Sequence, residues 1–449
     1  MSTRMDGIVQ PSLFSGFIRI DVVVPPGDRY RVLSEHLPWP LLGEVANKHR
    51  SKHVDINNGR PLNLRLQIAA FIAQSMNGWT DQETEDNVRL NAGVRLLCGL
   101  EQSDETTDRT SIQDFRSHLG AEGVEELNAI IVRAAKEAGF TDGALCASDT
   151  TVQESPIAYP TEVGHMKNIA EKLLGIASKI KKGTSKKLGE LFEKVKNLFT
   201  DIRLYTRGKT EAALERKKKL GEALQKTVAK MERLVRNQIS KMGGAAKAKY
   251  SGQMELYRKM LSQIRQWQKT NFHPNGKIIS LWLQDARAIT RNKAGKMTEF
   301  GRRWIITRLT MGYIIGTVCT RLGSGADTGL MPEILGHFER TVGKMPKIAV
   351  YDRGGDGPKN HRVLKNNGIT NAIFRKGKES QPDLGRNTAR KAHRERALTE
   401  ASIGTIKSQR YGFNKPRARS SETCILKGQA AILGANLTHI AKDWGCAMA

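Results

Sequence analysis

Two aspartates each follow a short run of residues that is typical of a β-strand. Asp149 follows residues 144–148 (ALCAS), and Asp352 follows residues 347–351 (KIAVY). Residues that end adjacent strands of a sheet lie side by side at one edge. Carboxylates at such an edge are the hard oxygen ligands that Mg²⁺ prefers. The two aspartates therefore predict metal-dependent chemistry at the edge of a sheet.

A third acid, Glu400, lies in a helix-like stretch that reads HRERALTEASIGTIK from residue 393 to residue 407. At about 100° per residue, His393, Arg396, Glu400 and Lys407 fall within one narrow stripe. An ordinary surface ion pair would also explain the spacing of Arg396 and Glu400, because residues four apart on a helix are neighbours. We favour a functional role for Glu400 because the two strand-end aspartates precede it.

Three carboxylates held close together repel one another unless cations lie between them. Two Mg²⁺ ions, roughly 3.5–4 Å apart, would turn this cluster into a phosphodiester-cleaving site, in which one ion activates the attacking water or 3′-hydroxyl and the other stabilises the leaving oxygen. Mn²⁺ is an expected substitute. Each acid also has a structural alternative, since Asp149 could cap a helix and Asp352 could close a turn before its glycines.

Other acids nearby compete for the same roles. They are Asp142, Glu154, Asp356 and Glu395. We expect Asp356 in a loop, four residues after the strand, and Glu395 on the opposite side of its helix from Glu400.

Around these acids the sequence predicts further elements. Residues 304–309 and 313–319 read as a strand pair, residues 331–342 as a helix, and residues 368–374 as another strand. Strands are also predicted over residues 17–24 (FIRIDVVV) and 277–283 (KIISLWL). The order strand–Asp, two strands, helix, strand–Asp, strand, helix–Glu predicts an α/β catalytic core of the ribonuclease-H-like class.

Composition limits the partners and the compartment of the protein. The 449 residues suggest two or three domains, and the formal net charge of +28 favours a polyanionic partner, with nucleic acid preferred to a membrane surface. No apolar run approaches the roughly 18 residues of a membrane span. Five cysteines without a CxxC pair favour a reducing cytoplasm over a disulfide framework or a zinc site.

The predicted domain organisation has four parts. Residues 1–55 form an N-terminal segment, and residues 56–140 form a helical domain that is a candidate for DNA binding. Within this domain, Thr80 and Glu83 predict a capping box at the start of a helix. Residues 141–165 and 271–449 form the catalytic domain, which is interrupted by a basic helical insertion over residues 166–270.

The insertion has a coiled-coil-like pattern of apolar residues. The seam consists of Leu224, Val228, Met231, Val235, Ile239 and Met242, at steps of three and four. Its excess of lysine over glutamate predicts contacts with DNA phosphates. The same seam permits a second interpretation, a dimerisation arm.

The helix-like stretch from His393 to Lys407 resembles a signature of bacterial DDE insertion-sequence transposases, Tyr-x2-Arg-x3-Glu-x6-Lys, with His393 in the place of the tyrosine. The runs DTT from Asp149 and YDRG from Tyr351 are also similar to these proteins, and the ISNCY-like group is the nearest. The resemblance covers most of the chain outside the insertion.

This resemblance implies a ribonuclease-H-like core in which Asp149, Asp352 and Glu400 bind the metal ions and are catalytic. Arg396, Lys407 and His393 are then expected to contact DNA. The implied activity is cleavage at the terminal inverted repeats of a transposon and joining of the freed 3′-hydroxyl to target DNA, by a homodimer or a higher assembly. Two alternatives remain, namely another ribonuclease-H-like nuclease and a non-catalytic nucleic-acid-binding relic of a transposase.

Overall fold

The computed structural model of the protein describes residues 20–55, 62–101, 104–180, 186–204, 208, 210–274, 276–293, 296–320, 327–375 and 384–448. The chain divides into two compact units. One is drawn from the residues up to Ser155 and from Arg302 onward, and the other is Pro156–Gly301. The predicted insertion falls inside the second unit and the predicted N-terminal helical domain inside the first, although residues 1–19 and 56–61 lie outside the described residues.

The helices in chain order are α1 (Ile20–Val23), α2 (Arg29–His36), α3 (Trp39–Arg50), α4 (Leu64–Asn77), α5 (Asp81–Leu90), α6 (Ala92–Cys98), α7 (Arg109–Glu137), α8 (Glu162–Ile180), α9 (Lys186–Leu204), α10 (Glu211–Ile239), α11 (Gly244–Thr270), α12 (Met331–Val342), α13 (Pro358–Asn366), α14 (Arg386–Ile406) and α15 (Ser421–Met448). The strands are β1 (Leu145–Glu154), β2 (Arg287–Lys293), β3 (Lys296–Arg308), β4 (Ile314–Val318), β5 (Ile348–Tyr351) and β6 (Thr370–Ile373).

The first unit is a mixed α/β structure whose sheet is flanked by helices. In this unit β3, β1, β5 and β6 are successive neighbours in the sheet, and β4 also pairs with β3. β5 runs parallel to β1 and to β6, whereas β4 runs antiparallel to β3. The parallel ladder of β1 and β5 ends at Ser148 and Tyr351. The predicted end of the first strand before Asp149 is wrong, because β1 continues through Asp149 to Glu154 beyond the end of its partner β5.

The helices before β1 pack on the same hydrophobic core as one face of this sheet. Phe71 of α4, Ile131 of α7, Ile305 of β3 and Leu437 of α15 are all buried in that core. The capping box predicted at Thr80 and Glu83 is present at the start of α5. These helices gain most of their stability from this packing rather than from local propensity.

Helix α15 also satisfies the backbone of the edge strand β4. The Asn436 side chain accepts a hydrogen bond from the Ile314 backbone N–H at 2.9 Å and donates to the Ile314 carbonyl at 2.6 Å. The same amide donates to the Asn128 side chain of α7 at 2.7 Å. A buried asparagine thus replaces the neighbouring strand that β4 lacks on this side.

The strand predicted over residues 17–24 is wrong in its described part. Residues 17–19 lie outside the described residues, and Ile20–Val23 form the helical turn α1. Arg31 donates to the carbonyls of Asp21 and Val24 at 2.8 and 2.9 Å. A side chain thus bonds backbone groups that would otherwise need a partner strand.

The second unit is built on α8, α9, α10 and α11, which pack around a hydrophobic core of their own. In the same unit, β2 pairs antiparallel with the first residues of β3. The strand predicted over residues 277–283 is wrong, because Ser280 accepts hydrogen bonds from the Trp282 and Leu283 backbone N–H groups and turns the chain. None of the described helices of either unit combines the length and the apolar character that crossing a bilayer requires.

Candidate active site

The register of β1 and β5 brings two of the predicted acids to one edge of the sheet. Ser148 pairs with Tyr351 in the parallel ladder, and the next residue on each strand is an aspartate, Asp149 and Asp352. Both aspartates are half-buried. The Asp352 carboxylate accepts a hydrogen bond from the Gly354 backbone N–H at 2.9 Å, which orients it at the start of the turn after β5.

The hydroxyl of Tyr351 lies within the electrostatic influence of both aspartates. The side chain is fully buried, and its oxygen has no hydrogen-bond partner among the described residues. Burial, and then the negative charges of Asp149 and Asp352, raise the pKa of this hydroxyl well above its ordinary value. The tyrosine therefore stays protonated beneath the two carboxylates, where it adds no further negative charge.

A third carboxylate, which the sequence did not identify, lies beside this pair. A β-carbon added to Gly354 would lie 2.9 Å from an oxygen of Asp352 and 3.1 Å from an oxygen of Asp327, so the two acids flank the glycine. Asp327 accepts a hydrogen bond from the Thr150 hydroxyl at 3.1 Å and forms an ion pair with Arg303. Arg303 is the sequence signal that could have indicated this acid, because a charged residue beside an apolar strand needs a buried partner of opposite charge.

Asn360, at the start of α13, holds the turn after Asp352 in place. It is fully buried, and its side chain donates to the carbonyls of Asp327 at 3.0 Å and of Gly355 at 2.8 Å. It also accepts from the Met331 backbone N–H at 3.1 Å. One amide thus ties the segment of Asp327 to the turn that carries Asp352.

The predicted third acid, Glu400, is not brought into this group. Its side chain is 60% exposed, and it forms an ion pair with Arg396 at 3.5 Å, the surface pattern that was the alternative interpretation. The preceding residue, Thr399, is buried and donates to the Ala147 carbonyl of β1 at 3.4 Å, so α14 packs on the correct strand. Within the described ranges, no group of three His, Cys, Asp or Glu side chains is close enough to hold a metal ion.

Two of the residues predicted to contact DNA, His393 and Arg396, pack against the same aromatic side chain. The ring of His393 packs edge-on against Phe374 at 4.7 Å between centroids, and the guanidinium of Arg396 lies 5.3 Å from the centre of the same ring. His393 is exposed and Arg396 is half-buried. Lys407 is the half-buried C-cap residue of α14, about four helical turns from His393.

The competing acids have structural partners of their own. Asp356 accepts from His361 at 2.7 Å, and Asp142 accepts from the Ala144 backbone N–H at 2.9 Å. Glu395, on the buried face of α14, forms an ion pair with Arg308. Glu154 lies 3.7 Å from Lys415.

Comparison with known proteins finds similarity over part of the chain. Residues 18–118 match a family described as "Transposase domain (DUF772)". A Rhizobium meliloti protein described as "Uncharacterized protein ORF8 in nfe locus" is 27% identical over 150 residues, which are 32% of this chain and 70% of that protein. No solved structure matches the chain.

These matches confirm the resemblance to an insertion-sequence transposase family. The family match covers the N-terminal helices and stops before Asp149. The assignment to the ISNCY-like group and the roles of the individual acids stay predictions.

Proposed function

We propose that this protein is a DDE transposase with a ribonuclease-H-like core. It binds the terminal inverted repeats of a transposon, cleaves phosphodiester bonds with divalent metal ions to free 3′-hydroxyl ends, and joins those ends to target DNA. The observation that carries the proposal is the pairing of Ser148 with Tyr351, because this register delivers Asp149 and Asp352 to one sheet edge. The transposase-domain match supports it independently.

The residues at this edge fit a magnesium site. Asp149 and Asp352 supply hard oxygen ligands from adjacent strands, and Mg²⁺ is commonly held by one or two carboxylates together with substrate phosphates. The bound ions would supply Lewis-acid activation of the attacking oxygen and stabilisation of the leaving oxygen. Glu400 is the proposed third ligand.

In this proposal, residues of the chain orient the metal-binding carboxylates and bind the phosphates of the DNA. The Gly354 N–H fixes the carboxylate of Asp352, and the Thr150 hydroxyl joins the strand of Asp149 to Asp327. Arg396, Lys407 and His393 are the proposed phosphate contacts on α14. Arg and Lys side chains suit this role because they neutralise phosphate charge and fix the register of the duplex.

The order of elements along the chain supports the proposed core. β1 contains Asp149, β3 and β4 follow, α12 comes next, β5 leads to Asp352, and β6 precedes α14 with Glu400. This is the order that the resemblance implies. The helix α13 between β5 and β6 was not among the predicted elements.

The test uses a duplex that carries the inverted repeats flanking the coding sequence, with Mg²⁺ or Mn²⁺. We expect Asp149→Asn and Asp352→Asn to abolish cleavage while the affinity for the duplex is largely kept. The matched control is Asp201→Asn, an exposed aspartate of α9, which should cleave like the wild type. Undiminished cleavage by Asp149→Asn would contradict the proposal. A labelled 3′-hydroxyl end that is never joined to a second duplex would favour a plain nuclease.

A further inference from the structure

Most of the chain's net positive charge lies in its second unit. Residues 156–301 contain 32 Lys and Arg against 12 Asp and Glu, a net charge of +20 out of the +28 of the whole chain. A large net positive charge on a small helical unit indicates an anionic partner.

The apolar seam of α10 is used inside its own unit. Leu224, Val228, Met231 and Val235 are fully buried, and Ile239 is 4% exposed, all within the core formed with α8, α9 and α11. A second copy of the chain cannot pack on residues that are already covered. The seam therefore does not provide a dimerisation arm, and the function of α10 has to be sought on its other face.

The face of α10 that points away from this core carries a line of cations. Lys219, Lys226, Lys230 and Arg233 are exposed, and their steps of seven, four and three residues place them in one stripe. Fourteen residues separate the first from the last, which is about 21 Å of helix. We call these four residues the α10 stripe.

The last three members of the α10 stripe form no ion pairs within the described part of the chain, although Glu222 lies one helical turn before Lys226. Between Glu222 and Glu255 the sequence contains a single acid, Glu232, which is buried and pairs with Arg236 at 3.1 Å. Lys226, Lys230 and Arg233 form no ion pair with any residue that the structure describes. An ordinary solvated helix face carries acids among its bases.

We propose that the α10 stripe binds the phosphate backbone of duplex DNA without reading its sequence. This inference rests on the proposed function, which supplies DNA as the partner. About 21 Å of helix spans roughly six phosphates of one strand, since successive phosphates of a strand rise by about 3.4 Å. Four cations at this spacing match a rigid, linear polyanion, and the three that form no ion pair with a described residue add the most to binding.

The experiment compares two full-length triple variants that lose the same charge. In the stripe variant, Lys226, Lys230 and Arg233 are changed to Gln. In the control variant, Lys179 of α8, Lys194 of α9 and Lys259 of α11 are changed to Gln; all three are exposed. Gln keeps a helix propensity close to that of Lys and Arg. The affinity for a duplex of arbitrary sequence is measured by fluorescence anisotropy over a series of salt concentrations.

We expect the slope of log K against log salt to become shallower by about 2.7 in the stripe variant, because each lost phosphate contact removes roughly 0.9. The control variant should change the slope by less than about one contact's share. Equal changes of the slope in the two variants would overturn the inference. The net positive charge of the unit as a whole, rather than the α10 stripe, would then account for DNA binding. A wild-type protein that binds no duplex would refute DNA as the partner and the proposed function as well. A stripe variant that alters the oligomeric state at an unchanged slope would assign the stripe to a protein contact.

Discussion

The hydroxyl of Thr150 donates a hydrogen bond of 3.1 Å to the carboxylate of Asp327, although 177 residues separate them in the chain. Thr150 directly follows Asp149, and Asp327 flanks Gly354 together with Asp352. This bond therefore joins the two strands that carry the proposed metal ligands through a third acid. Mutation of groups that hold metal ligands in place typically lowers the metal affinity of a site by about 10–100-fold.

Thr150→Val should weaken the binding of Mn²⁺ by about tenfold or more, because the variant removes the bond that orients the Asp149 segment. Thr150→Ser keeps the hydroxyl and should bind Mn²⁺ like the wild type. Isothermal titration calorimetry on the full chain gives both affinities. Equal affinities for the valine and serine variants would show that the bond to Asp327 has no part in the site.

Glu400 and Glu395 should respond in opposite ways to the same substitution. Glu400→Gln should abolish cleavage and leave the thermal unfolding temperature nearly unchanged, because the side chain is 60% exposed. Glu395→Gln should lower the free energy of unfolding by about 3 kcal/mol, because it leaves the charge of Arg308 buried without its counter-charge. Full cleavage by Glu400→Gln would remove it from the proposed ligand set.

Two glycines of α15 provide a matched test of how this helix packs on α4. A β-carbon at Gly434 would lie 2.1 Å from the Ser75 carbonyl oxygen, whereas one at Gly445 meets nothing within 4 Å. Gly434→Ala should therefore destabilise the first unit by about 1–3 kcal/mol through overpacking. Gly445→Ala should be neutral or stabilise by up to about 1 kcal/mol, because alanine favours the helix. Chemical denaturation measures both, and similar effects would contradict the close approach.

His165 makes the second unit sensitive to acid. Its side chain is 7% exposed, and burial, followed by the positive charge of Lys277, lowers its pKa from 6.5 to about 4. As the pH falls, the unfolded chain protonates His165 before the folded chain does. The contribution of the neutral imidazole to the free energy of unfolding is therefore fully present above pH 6.5 and is lost as the pH falls toward 4, by up to about 3 kcal/mol.

His165→Leu should remove this part of the pH dependence. Hydrogen exchange in α8 and α11, measured between pH 7 and pH 4, reports the stability of the second unit in the wild type and the variant. We expect protection in the wild type to fall more steeply with acid than in the variant. Parallel pH profiles would show that His165 does not titrate in this range.

The sequence predicted the elements that local signals determine. The helix over residues 331–342 has these bounds in the structure, and the capping box of Thr80 and Glu83 begins α5. Strands β4, β5 and β6 lie within their predicted ranges. Each of these segments has either a clear apolar period or a local cap, and neither depends on distant residues.

The two wrong strand predictions share one cause. Residues 20–23 and 277–283 are apolar enough for a strand, but distant or local side chains bond their backbones instead. Arg31 accounts for the first segment, and Ser280 accounts for the second. A short apolar run does not reveal by itself which partner its backbone will find.

The sequence by itself indicated that Asp352 follows a strand, that α14 is a helix and that the insertion carries an excess of positive charge, because these follow from residue type and spacing. Only the tertiary structure decided that β1 and β5 are parallel neighbours in a register that aligns Asp149 with Asp352. The tertiary structure also shows that Asp327, paired with Arg303, lies beside these aspartates and that the α10 seam is buried within its own unit. Strand register and buried ion pairs depend on contacts between distant residues, which no local period records.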